Sequence, residues 1–430
     1  MNDTRPEHYE AYIRRNAKWN FFANAGDLSA VNLAKAFIFT TTILPIYASY
    51  LTSSLVLIGL IPAILEVGFL LPQIFTARKA ETLERMKPFV VKVSVWERMP
   101  YLFIATSVFL WPNAPKWFAY SMLALSIAIA SGSGGIATPA WKTMLGKVIH
   151  ANSRGLLFSL GIGIGGFLGI GGSFITRHLL NRYAYPLSFA YCFGLAFLGQ
   201  AISWLFLTFN REPPRAMNPI HTSFRDYSRE LPNVLRSDKN FSRYLIGQLF
   251  MIIGMMASTF FVLYGKHQFA ISDEFAATLT MIALVSQSIG TPLIGWLSDR
   301  LGHKLMSEIS ALITAAGLVI ALVAPSPAWL VVTFILANLG RIAMAISRIC
   351  ITMEFSPLEK LPTYTALSGT LLAIPTFLAP VVAGWFIDML SYRTTFLIAI
   401  GCALLALLVS VRSVVDPRIV RQRRSTRQPE

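Results

Sequence analysis

Apolar stretches of about twenty residues, separated by short charged or turn-rich segments, recur along the whole chain. That length is what an α-helix needs to cross a bilayer. Six such stretches occupy the first half: Asp27 to Tyr50, Leu55 to Phe75, Pro88 to Trp111, Trp117 to Ile136, Gly155 to Ile175 and Tyr185 to Leu207. Six more follow: Arg243 to Tyr264, Phe275 to Gly295, His303 to Val323, Trp329 to Met353, Thr363 to Phe386 and Arg393 to Val411. The charged segment from Asn210 to Ser242, with Pro213, Pro214 and Pro219, divides them six and six. The pattern predicts an all-α membrane protein with twelve transmembrane helices. Residues 1–209 form an N-terminal bundle, 210–242 a cytoplasmic tether and 243–430 a C-terminal bundle with a basic tail. Within the tether, SFRDYSRELPNVLR has the pattern of a short surface helix.

Composition agrees with this pattern. Hydrophobic residues make up 54% of the chain and charged residues 13%, against about 25% charged in soluble domains. The net charge of +16 could by itself suggest a nucleic-acid partner, but its distribution excludes one. Lys and Arg collect in alternate loops, the positive-inside pattern of cytoplasmic segments. One set contains Arg14, Arg15 and Lys18, then Arg78, Lys79, Arg85 and Lys87, then Arg211, Arg215, Arg225, Arg229, Arg236 and Lys239, and finally Arg418, Arg421, Arg423, Arg424 and Arg427. The other holds Lys116, Arg177, Arg182, Lys266 and Arg393. About 27 basic residues against about 5 place both termini in the cytoplasm. A plasma membrane, the inner membrane of a bacterium, is the expected location. The first twenty residues lack the apolar core and cleavage site of a signal peptide, so the first span is expected to act as the targeting signal.

Cys192, Cys350 and Cys402 lie in apolar spans without CxxC spacing and read as small buried side chains. No His/Cys/Asp/Glu cluster has metal-ligand spacing, and no GxxxxGK[ST] loop is present to bind ATP. The Met251, Met255 and Met256 group reads as packing. No cofactor and no catalytic constellation are expected, so the chain does not read as an enzyme.

The two halves carry a weak internal repeat. Leu71-Pro72-Gln73-Ile74-Phe75 after the second span corresponds to Thr291-Pro292-Leu293-Ile294-Gly295 after the eighth, and Gly165-Gly166-Phe167-Leu168-Gly169 to Ala379-Pro380-Val381-Val382-Ala383-Gly384. Between the eighth and ninth spans stands Gly295-Trp296-Leu297-Ser298-Asp299-Arg300-Leu301-Gly302-His303-Lys304. It resembles the cytoplasmic-loop signature of the major facilitator superfamily, Gly-x-x-x-Asp-Arg-x-Gly-basic-basic, with His303 at a position that usually holds Arg or Lys. The resemblance covers essentially the whole chain. It implies two six-helix bundles around a central cavity and transport by alternating access. Gly295, Asp299, Arg300, Gly302 and Lys304 would then form a gating motif.

In the first-half copy Phe75 replaces the glycine and Lys79 the aspartate. The fifth span partly resembles the antiporter signature Gly-x-x-x-Gly-Pro-x-x-Gly-Gly: Gly161, Gly165 and Gly169 match, while Gly166 and Ile170 depart. These small residues read as a close helix-packing face. The fourth span lacks the membrane-embedded arginine of proton-coupled drug antiporters, and the sugar-porter Pro-Glu-Ser-Pro-Arg signature is missing. The substrate family is left unassigned. Pro139-Ala140-Trp141, Val148-Ile149, Arg154-Gly155 and Pro362-Thr363-Tyr364 are similar to segments of bacterial superfamily members of unassigned substrate.

An ionisable group within a span costs at least roughly 2.5–3.5 kcal/mol, so it calls for a partner or a function. Glu66 and Arg98 sit about 13–15 Å from the cytoplasmic ends of their spans and are matched in depth for a structural pair, with coupling chemistry the other reading. Glu97 is a second partner or reaches a water-filled crevice. Lys35 and Arg341 lie near mid-depth on the first and tenth spans, which the resemblance places around the cavity. Asn338 shares a helix face with Arg341, and Gln248 and Gln287 add neutral hydrogen-bonding groups. These five are the candidate substrate-binding residues. Two cations there favour an anionic or carboxylate-bearing solute, unless Glu66 neutralises Lys35. Arg348 is either a gate partner of Asp299 or a residue snorkelling to headgroups.

The sequence therefore predicts a monomeric secondary active or facilitative transporter of a small solute, with the lipid bilayer and protons or another coupling ion as its partners. Multidrug-type cation/proton antiport and a non-transporting receptor with a transporter fold are the alternatives.

Overall fold

The computed structural model describes residues 6–81, 83–214, 234–355 and 361–418. Most of the central loop, with Arg215, Arg225 and Arg229, lies outside the described residues, as do Arg421, Arg423, Arg424 and Arg427. So do the side chains of Arg78, Lys79, Pro362 and Thr363.

The described residues hold helices and turns and no β-strand. Fourteen α-helices follow in order: α1 (Pro6–Lys35), α2 (Ile43–Leu51), α3 (Leu55–Glu81), α4 (Lys87–Leu110), α5 (Lys116–Val148), α6 (Ala151–Arg182), α7 (Leu187–Thr208), α8 (Lys239–Met255), α9 (Phe261–Phe269), α10 (Asp273–Leu301), α11 (His303–Val323), α12 (Trp329–Phe355), α13 (Leu361–Met389) and α14 (Tyr392–Ser413). A short 3₁₀ turn, Met256–Phe260, joins α8 to α9, and together these three form one membrane-length segment.

Ten segments among the described residues are long and apolar enough to cross a membrane. The two predicted spans outside that set are the first and the third. They contain Asp27 and Lys35, and Lys92, Glu97 and Arg98, the charges that lower their hydropathy; of these the fold buries Asp27 and Arg98.

The first span departs from the sequence expectation of one helix from Asp27 to Tyr50. α1 starts at Pro6, well before the apolar run, and stops at Lys35; α2 resumes at Ile43. The early start follows from a polar stripe. Asn16, Asn20, Asn24 and Asp27 recur at helical spacing, and each is at most 5% exposed. The break falls in Phe37-Ile38-Phe39-Thr40-Thr41-Thr42, whose β-branched and hydroxyl side chains favour other conformations. Three i→i−3 bonds, from the amides of Ala36, Phe37 and Ile38, tighten the end of α1. Pro45 then sits in the first turn of α2, where its missing N–H costs little.

The chain forms two compact units, Met1–Ile220 with Ala270–Ser288, and His221–Phe269 with Ile289–Glu430. In the first, α1 packs on α6 and α7, α3 on α5, and α4 on α5 and α7. α6 can approach α1 closely because of its glycines: a Cβ on Gly165 would stand 2.7 Å from Asn32 Cβ and 2.9 Å from the Ser29 backbone. The first half of α10 also belongs to this unit. Tyr50 donates to Asp273 at 2.7 Å, Arg177 pairs with Glu274 at 2.6 Å, and the hydroxyls of Thr42 and Thr280 meet. In the second unit α11 packs on α12 and α14, and α8 on α14 and α13. Ile294, Met306, Ile342 and Ala343 form an apolar core joining the second half of α10 to α11 and α12.

Candidate functional site

A buried charge cluster lies inside the first unit. On α4 the positions Ser94, Arg98, Tyr101 and Ala105 form one buried face, and α4 packs on α7. Arg98, 5% exposed, is held from several sides. Its Nε donates to the Gln200 carbonyl at 3.0 Å. Its Nη1 donates to the Ser94 carbonyl at 2.8 Å and to Glu97 at 3.0 Å. Its Nη2 donates to Ser203 Oγ at 2.8 Å. Ser203 in turn donates to Asp27 Oδ1 at 2.6 Å, and Arg98 Nη2 lies 3.9 Å from the same oxygen. Two carboxylates and one guanidinium thus share an interior site joining α1, α4 and α7.

This corrects the expected pairing. Glu66 is exposed on α3 and is not a partner of Arg98. Depth matched the two residues, but α3 packs on α5 while the buried face of α4 turns toward α7. Glu97, adjacent in sequence, pairs with Arg98 because the long arginine side chain folds back beside it. Its Oε1 also lies 3.1 Å from where a Cβ on Gly134 would stand, so it reaches α5. Asp27 went unrecognised because it stands at the edge of the first apolar run; the Asn16–Asn20–Asn24–Asp27 spacing is the signal that exposes it.

The remaining candidates are placed as follows. Lys35 is the last residue of α1, where a cation meets the partial negative charge of a helix C-terminus; its side chain is exposed at the break. Gln287 is half-buried on α10. In the second unit, Arg341 Nη2 donates to Asn338 Oδ1 at 3.0 Å, while Asn338 Nδ2 donates to the Phe334 carbonyl at 2.8 Å. Arg341 is exposed and Asn338 buried. Gln248 donates to Ser307 Oγ at 3.2 Å and faces a cavity of about 10 Å³ shared with Tyr244 and Met251, a volume suited to a single water.

The signature loop is built around Gly302. Its φ of 98° and ψ of 144° fall in a region open essentially to glycine alone, and there the chain turns from α10 into α11. Ser298 Oγ and His303 Nδ1 share a hydrogen bond of 2.6 Å across the turn. Lys304 pairs with Glu308 at 2.9 Å, and Arg300 stacks on Trp296 at 4.1 Å. Arg348 is outside ion-pair distance of Asp299, so the expected latch contact is not made. Arg418 occupies that space instead: its Nη1 donates to the Asp299 carbonyl at 3.3 Å and its Nε to Glu354 at 2.7 Å, which also lies 3.6 Å from His303 Nε2. Gly295 is not a close-approach glycine, since a Cβ there would meet nothing within 4 Å. Gly302→Ala should therefore cost about 1–3 kcal/mol, while Gly295→Ala should be neutral or slightly stabilising. Thermal unfolding of the two variants in one detergent checks the contrast, and equal shifts would refute it.

Residues 244–429 match the family model of the Major Facilitator Superfamily. No curated protein sequence matches the chain. Among solved structures, a mutant of the nucleoside transporter NupG is similar over 91% of this chain and 99% of its own, at TM-score 0.69 and 15% identity. A POT family transporter in complex with 5-aminolevulinic acid is similar over 92% of this chain and 95% of its own, at TM-score 0.68 and 13% identity. A D-xylose–proton symporter is similar over 93% and 98%, at TM-score 0.65 and 16% identity.

Proposed function

We propose that this chain, a solute transporter of the Major Facilitator Superfamily by its C-terminal family match and its whole-chain fold, works by alternating access and couples solute movement to protons at Asp27, Glu97 and Arg98. The observation that carries this reading is the buried cluster itself. Its two carboxylates face one guanidinium, so with all three ionised it holds one uncompensated negative charge. In a low-dielectric interior that excess favours taking up a proton, and a group whose protonation is tied to its neighbours can tie proton movement to conformation. A structural neighbour described as a proton symporter supports the same mode.

The solute we assign is small and anionic or carboxylate-bearing. Lys35 and Arg341 supply positive charge, and Asn338, Gln248 and Gln287 supply neutral donors and acceptors. Asp299 in the signature loop and Arg348 on α12 act as gate residues that exchange partners during the cycle, with Glu354 and Arg418 added to that set. Residues 1–209 and 243–430 are the two bundles of the mechanism, and loop charge orients both termini toward the cytoplasm of a bacterial inner membrane.

Flux into proteoliposomes tests the reading. With a panel of organic anions, amino acids and drug-like cations, an anion-bearing solute should accumulate when an inward proton gradient is imposed, and a protonophore should abolish accumulation. Binding of a panel member without flux under any gradient would mark a receptor instead.

A further inference from the structure

A cavity of about 400 Å³ lies in the first unit where residues 209–214 cross the ends of α1, α4 and α5. It is lined by Tyr12, Arg85, Lys87, Val91, Arg211 and Glu212, among others. Three of these are cations. The carboxylate among them is already committed: Glu212 accepts from the amides of Met86 at 3.0 Å and Lys87 at 2.7 Å and pairs with Lys147 at 3.2 Å. Among the described residues, neither the Arg85 guanidinium nor the Lys87 ammonium makes a hydrogen bond or ion pair.

Arg211 is held at the rim in a fixed orientation. Its backbone N–H donates to Asn20 at 2.8 Å, its Nη1 donates to Asn16 at 3.1 Å, and its guanidinium stacks on Trp19 at 4.7 Å. Beside it an aromatic cluster faces outward. Trp19 is 43% exposed, Phe22 62% and Phe209 39%, and Trp19 with Phe209, and Phe22 and Phe209 with Phe206, form ring contacts of 5.6–6.2 Å. Exposed aromatic rings of this kind mark the level of lipid headgroups, and clustered Lys and Arg at that level attract anionic lipid.

We propose that this cavity is a binding site for a phosphate group, supplied by an anionic phospholipid whose headgroup contacts Arg85, Lys87 and Arg211 and whose acyl chains lie along Trp19, Phe22 and Phe209. The volume falls in the range of small-ligand pockets, and three cations around one recess suit a phosphate, with the arginines able to bind it in bidentate fashion. Occupancy would fasten residues 209–214 to α1 and α4, at the start of the central loop.

The full-length protein purified in a neutral detergent with phosphatidylcholine tests this, by native mass spectrometry and thermal unfolding. Added phosphatidylglycerol should bind in a defined number of copies and raise the unfolding temperature, where further phosphatidylcholine does not. The double variant Arg85→Gln/Lys87→Gln should keep the parent's unfolding temperature without anionic lipid and bind phosphatidylglycerol about thirty-fold more weakly, as two lost basic contacts imply. Lys116→Gln, away from the cavity, serves as the control and should bind like the parent. Inorganic phosphate or glycerol 3-phosphate, added without anionic lipid, separates the sources. Protection by either that the double variant loses would keep the phosphate site and assign it to a soluble ligand. Equal phosphatidylglycerol affinity in the parent and the double variant would overturn the site.

Discussion

Arg98→Gln should destabilise the protein by about 3–5 kcal/mol, the usual cost of removing one member of a buried ion pair. Without the guanidinium, Asp27 keeps the Ser203 hydroxyl but has no cation at a site 5% exposed. The Gln200 and Ser94 carbonyls lose a donor at the same time. Asp27→Asn should be much milder, because Arg98 retains Glu97, Ser203 and both carbonyls. In transport the order reverses. Asp27→Asn, folded and reconstituted, should lose proton-driven accumulation while retaining exchange of labelled for unlabelled solute, a step that needs no net proton movement. Unfolding in detergent and paired uptake and exchange assays separate the two effects. Normal uphill accumulation by Asp27→Asn would remove Asp27 from the coupling machinery, and an Arg98→Gln protein as stable as its parent would mean that the cluster is more hydrated than its burial implies.

Arg341→Gln should weaken carboxylate-bearing solutes by about ten- to hundred-fold, the loss of one charge-assisted hydrogen bond of about 1.5–3 kcal/mol, and should change neutral analogues only a few-fold. Asn338 explains why the effect is expected to be selective. It anchors one nitrogen of the Arg341 guanidinium at 3.0 Å and is itself anchored to the α12 backbone. The direction of the guanidinium is thereby set before a ligand arrives, which lowers the entropy cost of binding. Asn338→Ala should then reproduce part of the loss with the charge still in place. Glu66→Gln should leave anion affinity unchanged, Glu66 being exposed on α3. Equilibrium binding of matched anionic and neutral analogues reads these effects directly. A uniform change across all ligands, with lowered thermal stability, would make Arg341 a structural residue.

Helix number and the signature loop were readable from sequence because both depend on local pattern. A span is an apolar run of known length, and Gly295 to Lys304 is contiguous. Pairing depends on helix rotation, which hydropathy averages away. Glu66 and Arg98 agreed in depth and faced different neighbours. Asp27 looked like a boundary because the three asparagines before it lowered the apolar score, although their helical spacing marks a buried face. Glu354 and Arg418 were missed for another reason. They are far apart in sequence and meet only after the C-terminal segment folds back to α12.

That return has a bearing on biosynthesis. Membrane helices enter the bilayer in order as the chain emerges, so α10, the Gly302 turn and α11 are in place well before the residues that follow α14 are made. Arg418 reaches the Asp299 carbonyl across 119 positions of sequence, and it reaches Glu354 across 64. Until Arg418 is synthesised, the Glu354 carboxylate lacks its guanidinium partner and has His303 Nε2 3.6 Å away. The loop is therefore finished only once the residues that follow α14 have been made, and a nascent polypeptide that stops short of them would carry an unfastened signature loop, open to quality-control proteases.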